Sequence, residues 1–123
     1  MKIKKIAFFL PSLEGGGAEK MVLKIANSFS NNGFNVDLLL VKKKGPYINL
    51  ISKKLNVVDL KKSRVLFSFF SFIKYVNKNN PNIIISAMTH LNLLTLISKF
   101  FCKKNIKFII TERVIFDDYK FKK

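Results

Sequence analysis

Tryptophan is absent from this chain, histidine and cysteine occur once each, and acidic residues number only 7 against 23 lysines and arginines. Each shortage excludes something. With Cys102 alone no internal disulfide can form, and the chain suits a reducing compartment. One histidine, one cysteine and a few scattered acids give no cluster with metal-ligand spacing, and Asp117 and Asp118 read as surface. Only Arg64 and Arg113 are arginine. Reading of bases draws on arginine's planar fork, and no nucleic-acid-binding motif is present, so nucleic acid is not an expected partner. No G-K-[ST] occurs, which excludes a Walker loop.

Long apolar runs are scarce too. The run at 6–10 is too short for the core of a signal peptide, and charged residues soon follow it. Residues 83–101 carry one charge, Lys99, and have the length to span a bilayer. Ser86, Thr89, His90 and Asn92 interrupt them, however, so the segment reads as strand, turn and buried helix.

What is present is a chain of 123 residues, 49% hydrophobic, with 13 phenylalanines: enough for one domain with a real core. Its formal charge of +16 favours anionic partners, although a lysine-rich balance also suits a plain solvated surface. Lys61, Lys62, Arg64, Lys74 and Lys78 border an aromatic helical segment at 65–76. Phe67 and Phe72 fall off that segment's core stripe, which suggests an interfacial patch touching acidic lipid. A basic α/β module bound to an anionic membrane or another polyanion is therefore one functional expectation.

Hydrophobic periodicity alternates between two kinds. Strands are expected at 3–10, 36–41, 56–60, from 83 onward, and at 106–111. Ala18, Val22, Ile25, Ala26 and Phe29 mark one face of a first helix, with Gly33 stopping it. A short helix is expected at 47–53. Leu66, Phe69, Phe70, Ile73 and Val76 mark a second long helix, closed by the asparagines around Pro81, and a third spans 91–101. Strands alternating with helices at this spacing imply βαβ units: an α/β, Rossmann-like parallel sheet with helices on both faces. Ligands of such sheets sit beyond the carboxyl ends of the strands. Residues 11–17, 86–92 and 111–114 fall on that rim.

Three of the chain's 5 glycines, Gly15, Gly16 and Gly17, stand together between the first strand and the first helix. Such a turn brings bare N–H groups and the positive end of a helix to one spot, an anion site whose first candidate ligand is a phosphate. A dinucleotide fingerprint fails, because counting from Gly15 puts Lys20 where the third small residue must be. The acid expected at the end of the second strand is likewise absent.

The stretch "LPSLEGGGAEKMVLKIANSFSNNGFNVDLLLV" resembles the amino-terminal half of a retaining, family-4 type glycosyltransferase of GT-B fold. "PNIIISAMTHLNLL" is similar to a second segment of that family, and "IITERV" to a third. The resemblance implies that residues 1–123 are an acceptor-side domain of an enzyme moving a sugar from a nucleotide-sugar, UDP-linked, to a lipid-linked or glycan acceptor on the inner, cytoplasmic face of a membrane. It implies that Gly15, Gly16 and Gly17 face the donor diphosphate, with no metal and no further cofactor. It assigns Asn92, Glu112 and Arg113 to the acceptor cleft and makes His90 the candidate catalytic residue. In the family the donor binds chiefly to a carboxyl-terminal domain through an E-x7-E pair, which this sequence does not contain. The expectation is a truncated chain that is inactive alone.

Overall fold

Runs of β-branched and aromatic residues, too short for stable helices, form five strands: β1 Ile6–Leu10, β2 Val36–Leu40, β3 Asn56–Asp59, β4 Ile83–Ala87 and β5 Lys107–Thr111. A computed structural model describes residues 5–87, 89–102 and 106–111. All pairings are parallel, in the order β3-β2-β1-β4-β5. The helices are α1 Gly17–Asn31, α2 Phe69–Asn79 and α3 Thr89–Ser98, with 3₁₀ turns at Pro46–Leu50, Val65–Ser68 and Lys99–Phe101. This is the α/β, Rossmann-like sheet the alternation implied.

Because strand side chains alternate, β1 and β2 feed two cores. Ile6, Phe8 and Leu10, with Val36, Leu38 and Leu40, pack under Val22, Leu23 and Ala26 of α1. Ala7, Phe9 and Leu39 face the other way, against Phe72, Tyr75 and Val76 of α2 and Leu91 and Leu94 of α3. Helices thus cover both faces, α1 on one and α2 with α3 on the other.

Two expected helix faces are corrected. The buried stripe of α1 is Glu19, Val22, Leu23, Ala26 and Ser30, while Ile25 is exposed. Val22 and Ala26 of the expected face are core, and Phe29 packs against it. An apolar-only pattern nevertheless overlooks the polar Glu19 and Ser30 at either end and so tilts the stripe toward Ile25. The 65–76 segment is not one helix: a 3₁₀ turn precedes α2, and its three residues per turn put Leu66 out of phase with the buried stripe of α2. Leu66 and Phe70 are 76% and 79% exposed, whereas Phe72, expected on the surface, is 0% exposed. Phe72 stacks on Phe9 with ring centroids 4.5 Å apart. Only Phe67 of the two aromatics assigned to the interfacial patch is exposed.

The amino edge of the sheet carries a buried polar anchor. Asp37 accepts a hydrogen bond from Asn56 Nδ2 at 2.9 Å and one from the Tyr75 hydroxyl, and Lys5 Nζ lies 3.5 Å away. Burial, then the bond and charge of Asp37, hold the Tyr75 hydroxyl far above its ordinary pKa. At the carboxyl edge, Gly16, Gly45 and Lys61 have positive φ.

Candidate functional site

Strand order reverses at β1, which has β2 on one side and β4 on the other, and the crevice beyond the carboxyl ends of β1 and β4 is the switch point where open α/β sheets bind ligands. The glycine turn leaves β1 there. Gly16, at φ 96°, is the residue preceding α1 and needs to be glycine for that conformation. Gly15 and Gly17 do not: neither has a positive φ, and a Cβ on either would meet nothing within 4 Å. Open space surrounds two glycines whose backbone any residue can adopt. The fold itself therefore does not require glycine at either position.

No side chain caps α1. The N–H groups of Gly17, Ala18 and Glu19 open the helix and have no acceptor in the preceding turn. Glu19, only 7% exposed, folds back so that its carboxylate accepts a bond from Ser12 Oγ at 3.4 Å and lies beside the glycine turn. Burial raises its pKa above the ordinary carboxylate value, and the negative charge of Glu14 adds to that, against the lowering effect of hydrogen bonding. Glu19 thereby stiffens the turn from within. The sequence signal for it was an acid in the first helical turn directly after the glycines.

A second loop is laced to this turn. Leu13 N–H donates to Lys44 O at 2.9 Å, Tyr47 N–H to Leu13 O at 3.2 Å and Lys42 N–H to Pro11 O at 3.1 Å. Gly45 makes the contact fit: it has φ 124°, and a Cβ there would come within 2.0 Å of Leu13 O. Lys42, Lys43 and Lys44 are thereby brought beside the glycine turn, with Lys42 Nζ 3.7 Å from Glu14. This adds positive potential along one border of the crevice. A lone "KKKGP" carries no hint of that neighbour, because the bonds join residues about thirty positions apart.

On the β4 side, α3 begins at Thr89, which places the backbone of His90 in its first turn at the crevice; the His90 side chain lies outside the described residues. Asn92 is buried, and its Oδ1 accepts a bond from Ser86 Oγ at 2.8 Å. That bond ties the first turn of α3 to the end of β4; with the helix already under way at Thr89, Asn92 is not its cap. Glu112 and Arg113 lie outside the described residues. Among the described residues no three His, Cys, Asp or Glu side chains group as metal ligands.

No protein-family model matches the sequence, and no curated protein does. Among solved structures the chain is similar to the apo form of a lipopolysaccharide outer core galactosyltransferase, WaaB, with a TM-score of 0.64 and 17% identity over 88% of this chain. The match covers 33% of the other chain, so this sequence spans about a third of that structure's length. At such identity the likeness shows the fold alone: a Rossmann-like parallel sheet with helices on both faces.

Proposed function

We propose that this chain is the acceptor-side portion of a glycosyltransferase, one that moves a sugar from a UDP-linked donor to a lipid-linked or other glycan acceptor. The observation that carries the proposal is the uncapped start of α1 at the switch point, where Gly15 and Gly17 stand in open space. When the bond between the sugar's anomeric carbon and the diphosphate breaks, negative charge grows on the departing phosphate oxygen. Amides of Gly16, Gly17 and Ala18, together with the positive end of α1, would stabilise that charge without reorganising. Lys42 to Lys44 add longer-range attraction for the same group. On this reading Gly15, Gly16 and Gly17 are the diphosphate-facing residues, and charge stabilisation runs through amides rather than a metal. His90, at the neighbouring strand end, is the proposed contact to the transferred sugar or the acceptor, with Asn92, Glu112 and Arg113 on the acceptor side.

The similarity to a galactosyltransferase fold supports the transferase class. Retention of anomeric configuration and a family-4 type mechanism are part of the proposal, as is a second, donor-binding domain that supplies the E-x7-E pair and most of the donor affinity. A lipid-linked acceptor requires work at a membrane surface. None of the described helices is long and apolar enough to cross one, and the proposed location is the inner face, held by peripheral contact with anionic lipid. The basic composition favours that contact.

The test is a titration of the chain with UDP, followed by amide shifts in a ¹⁵N NMR spectrum. Millimolar UDP is expected to shift Gly16, Gly17 and Ala18, uridine alone to leave them in place, and Gly17→Val to abolish the response with the fold intact. Shifts confined to other loops, or equal responses to uridine and UDP, would reject the diphosphate site.

A further inference from the structure

Between Asp59 and Glu112 the sequence contains no acidic residue at all. This half of the chain also holds most of the exposed large apolar side chains, among them Leu66, Phe67, Phe70, Leu93, Ile97 and Phe100. The two properties meet in a groove of about 870 Å³ between the 3₁₀ turn Val65–Ser68 and α3. Leu66, Phe69, Leu93, Leu94 and Ile97 form its walls, and Arg64 is the charged group in its lining. The volume is in the range of about 300–1,000 Å³ typical of small-molecule sites, whose walls are mostly apolar with a few placed polar groups.

Arg64 enters no ion pair among the described residues. Lys61 and Lys62 precede it on a sharply bent connection, with Lys61 at φ 55° and its N–H held by Asp59 Oδ1 at 2.9 Å. The same Asp59 oxygen takes Lys43 N–H at 3.1 Å, so the nearest acid in the chain is occupied by backbone donors. An apolar trough with unpaired positive charge in its lining is complementary to one kind of molecule: an alkyl chain carrying an anionic, phosphate-type head.

We infer that the groove between residues 63–69 and α3 holds the hydrocarbon chain of a single anionic lipid, with the lipid's phosphate at Arg64. This rests on the proposed membrane contact and gives it a defined pocket in place of a diffuse patch. The site lies on the α2 and α3 face of the sheet, so it does not compete with the glycine turn for the same ligand.

Monomeric alkyl phosphates of increasing length are the probe, titrated calorimetrically into the chain below their micellar concentrations. One saturable site is expected, with affinity rising about fourfold per added methylene until the groove is full and then levelling. Arg64→Gln is expected to weaken decyl phosphate about tenfold and leave decanol unchanged. Leu93→Asn with Ile97→Asn, both at partly exposed positions, should remove binding while the thermal transition stays; Phe100→Ser, outside the groove, should change nothing. Non-saturating uptake, equal loss with Phe100→Ser, or a dimer in light scattering that excludes the alkyl phosphates would overturn the groove. Vesicles of phosphatidylglycerol against phosphatidylcholine separate the two claims. Vesicle binding without a saturable alkyl phosphate site rejects the groove alone, and the reverse result upholds the groove and rejects membrane docking.

Discussion

The two faces of the sheet meet water in opposite ways. Under α1 the core is closed, and the large apolar side chains left exposed on that side, such as Ile25 and Leu50, are scattered. Its connecting loops are laced together by backbone bonds and its acids, Glu14 and Glu19, are engaged. Across the sheet, α2 and α3 bury one stripe each, and exposed Leu66, Leu93 and Ile97 come together along one groove with Arg64 in its lining. Scattered exposed hydrophobics need no explanation, but a continuous patch is a surface waiting for a partner. The contrast separates two jobs: the α1 side shapes a polar crevice at the strand ends, and the α2–α3 side offers an apolar, cationic face.

That contrast can be broken by mutation, and the largest effect is expected within the second face itself. Phe72→Ala should cost about 3–5 kcal/mol in urea unfolding, because it leaves a cavity against Phe9. Phe67→Ala and Phe70→Ala should stay within about 0.5 kcal/mol. Equal costs at all three would mean that the face is not divided into core and open surface.

Next in size, Gly45→Ala should destabilise by at least about 2 kcal/mol, since a positive φ and a backbone collision act together. Gly17→Ala, in open space at the start of α1, should be neutral or raise the melting temperature slightly. A large penalty at Gly17 would show that the fold, and not a ligand, demands glycine there.

Tyr75→Phe should cost about 1–2 kcal/mol in the same unfolding assay, because Asp37 keeps its other partners but loses one donor in a buried setting. An unchanged midpoint would show that the anchor at the amino edge does not contribute to stability.

The smallest effect is a pH dependence at Glu19. Its folded-state pKa is raised, so the folded protein binds more protons than the unfolded chain between the ordinary value of 4.5 and the raised one. Stability from this group is therefore present below the ordinary value and falls as pH rises through that window. Glu19→Gln should remove this slope, visible as a wild-type-minus-mutant difference in thermal stability that shrinks toward acid pH. A difference that is flat with pH would mean the carboxylate is fully compensated by Ser12.

The elements were legible because each depends on a few neighbouring residues. Alternating apolar runs marked all five strands to within a few positions, and Gly33 and the asparagines before Pro81 marked the ends of α1 and α2. The glycine turn was legible for the same reason, since three glycines before a helical pattern are a local signal. Glu19 was legible only as an acid in the first turn of α1; its burial was not, because that depends on a fold-back onto Ser12 that no hydrophobic count registers. Nor was the groove, since Arg64 and Leu66 lie some thirty residues from Leu93 and Ile97 and meet only when α3 packs beside the 3₁₀ turn.

By itself the sequence determined the alternation of strand and helix, and with it a parallel sheet whose carboxyl edge carries the glycine turn. Those outcomes arise from periodicity and backbone preference over short spans. Tertiary structure decided which side of each helix is buried, that Phe72 is core while Phe67 is surface, and that the lysines of 42–44 stand beside the glycines. Burial is settled by what an element packs against, and a helix carries apolar residues on more faces than its neighbours can cover.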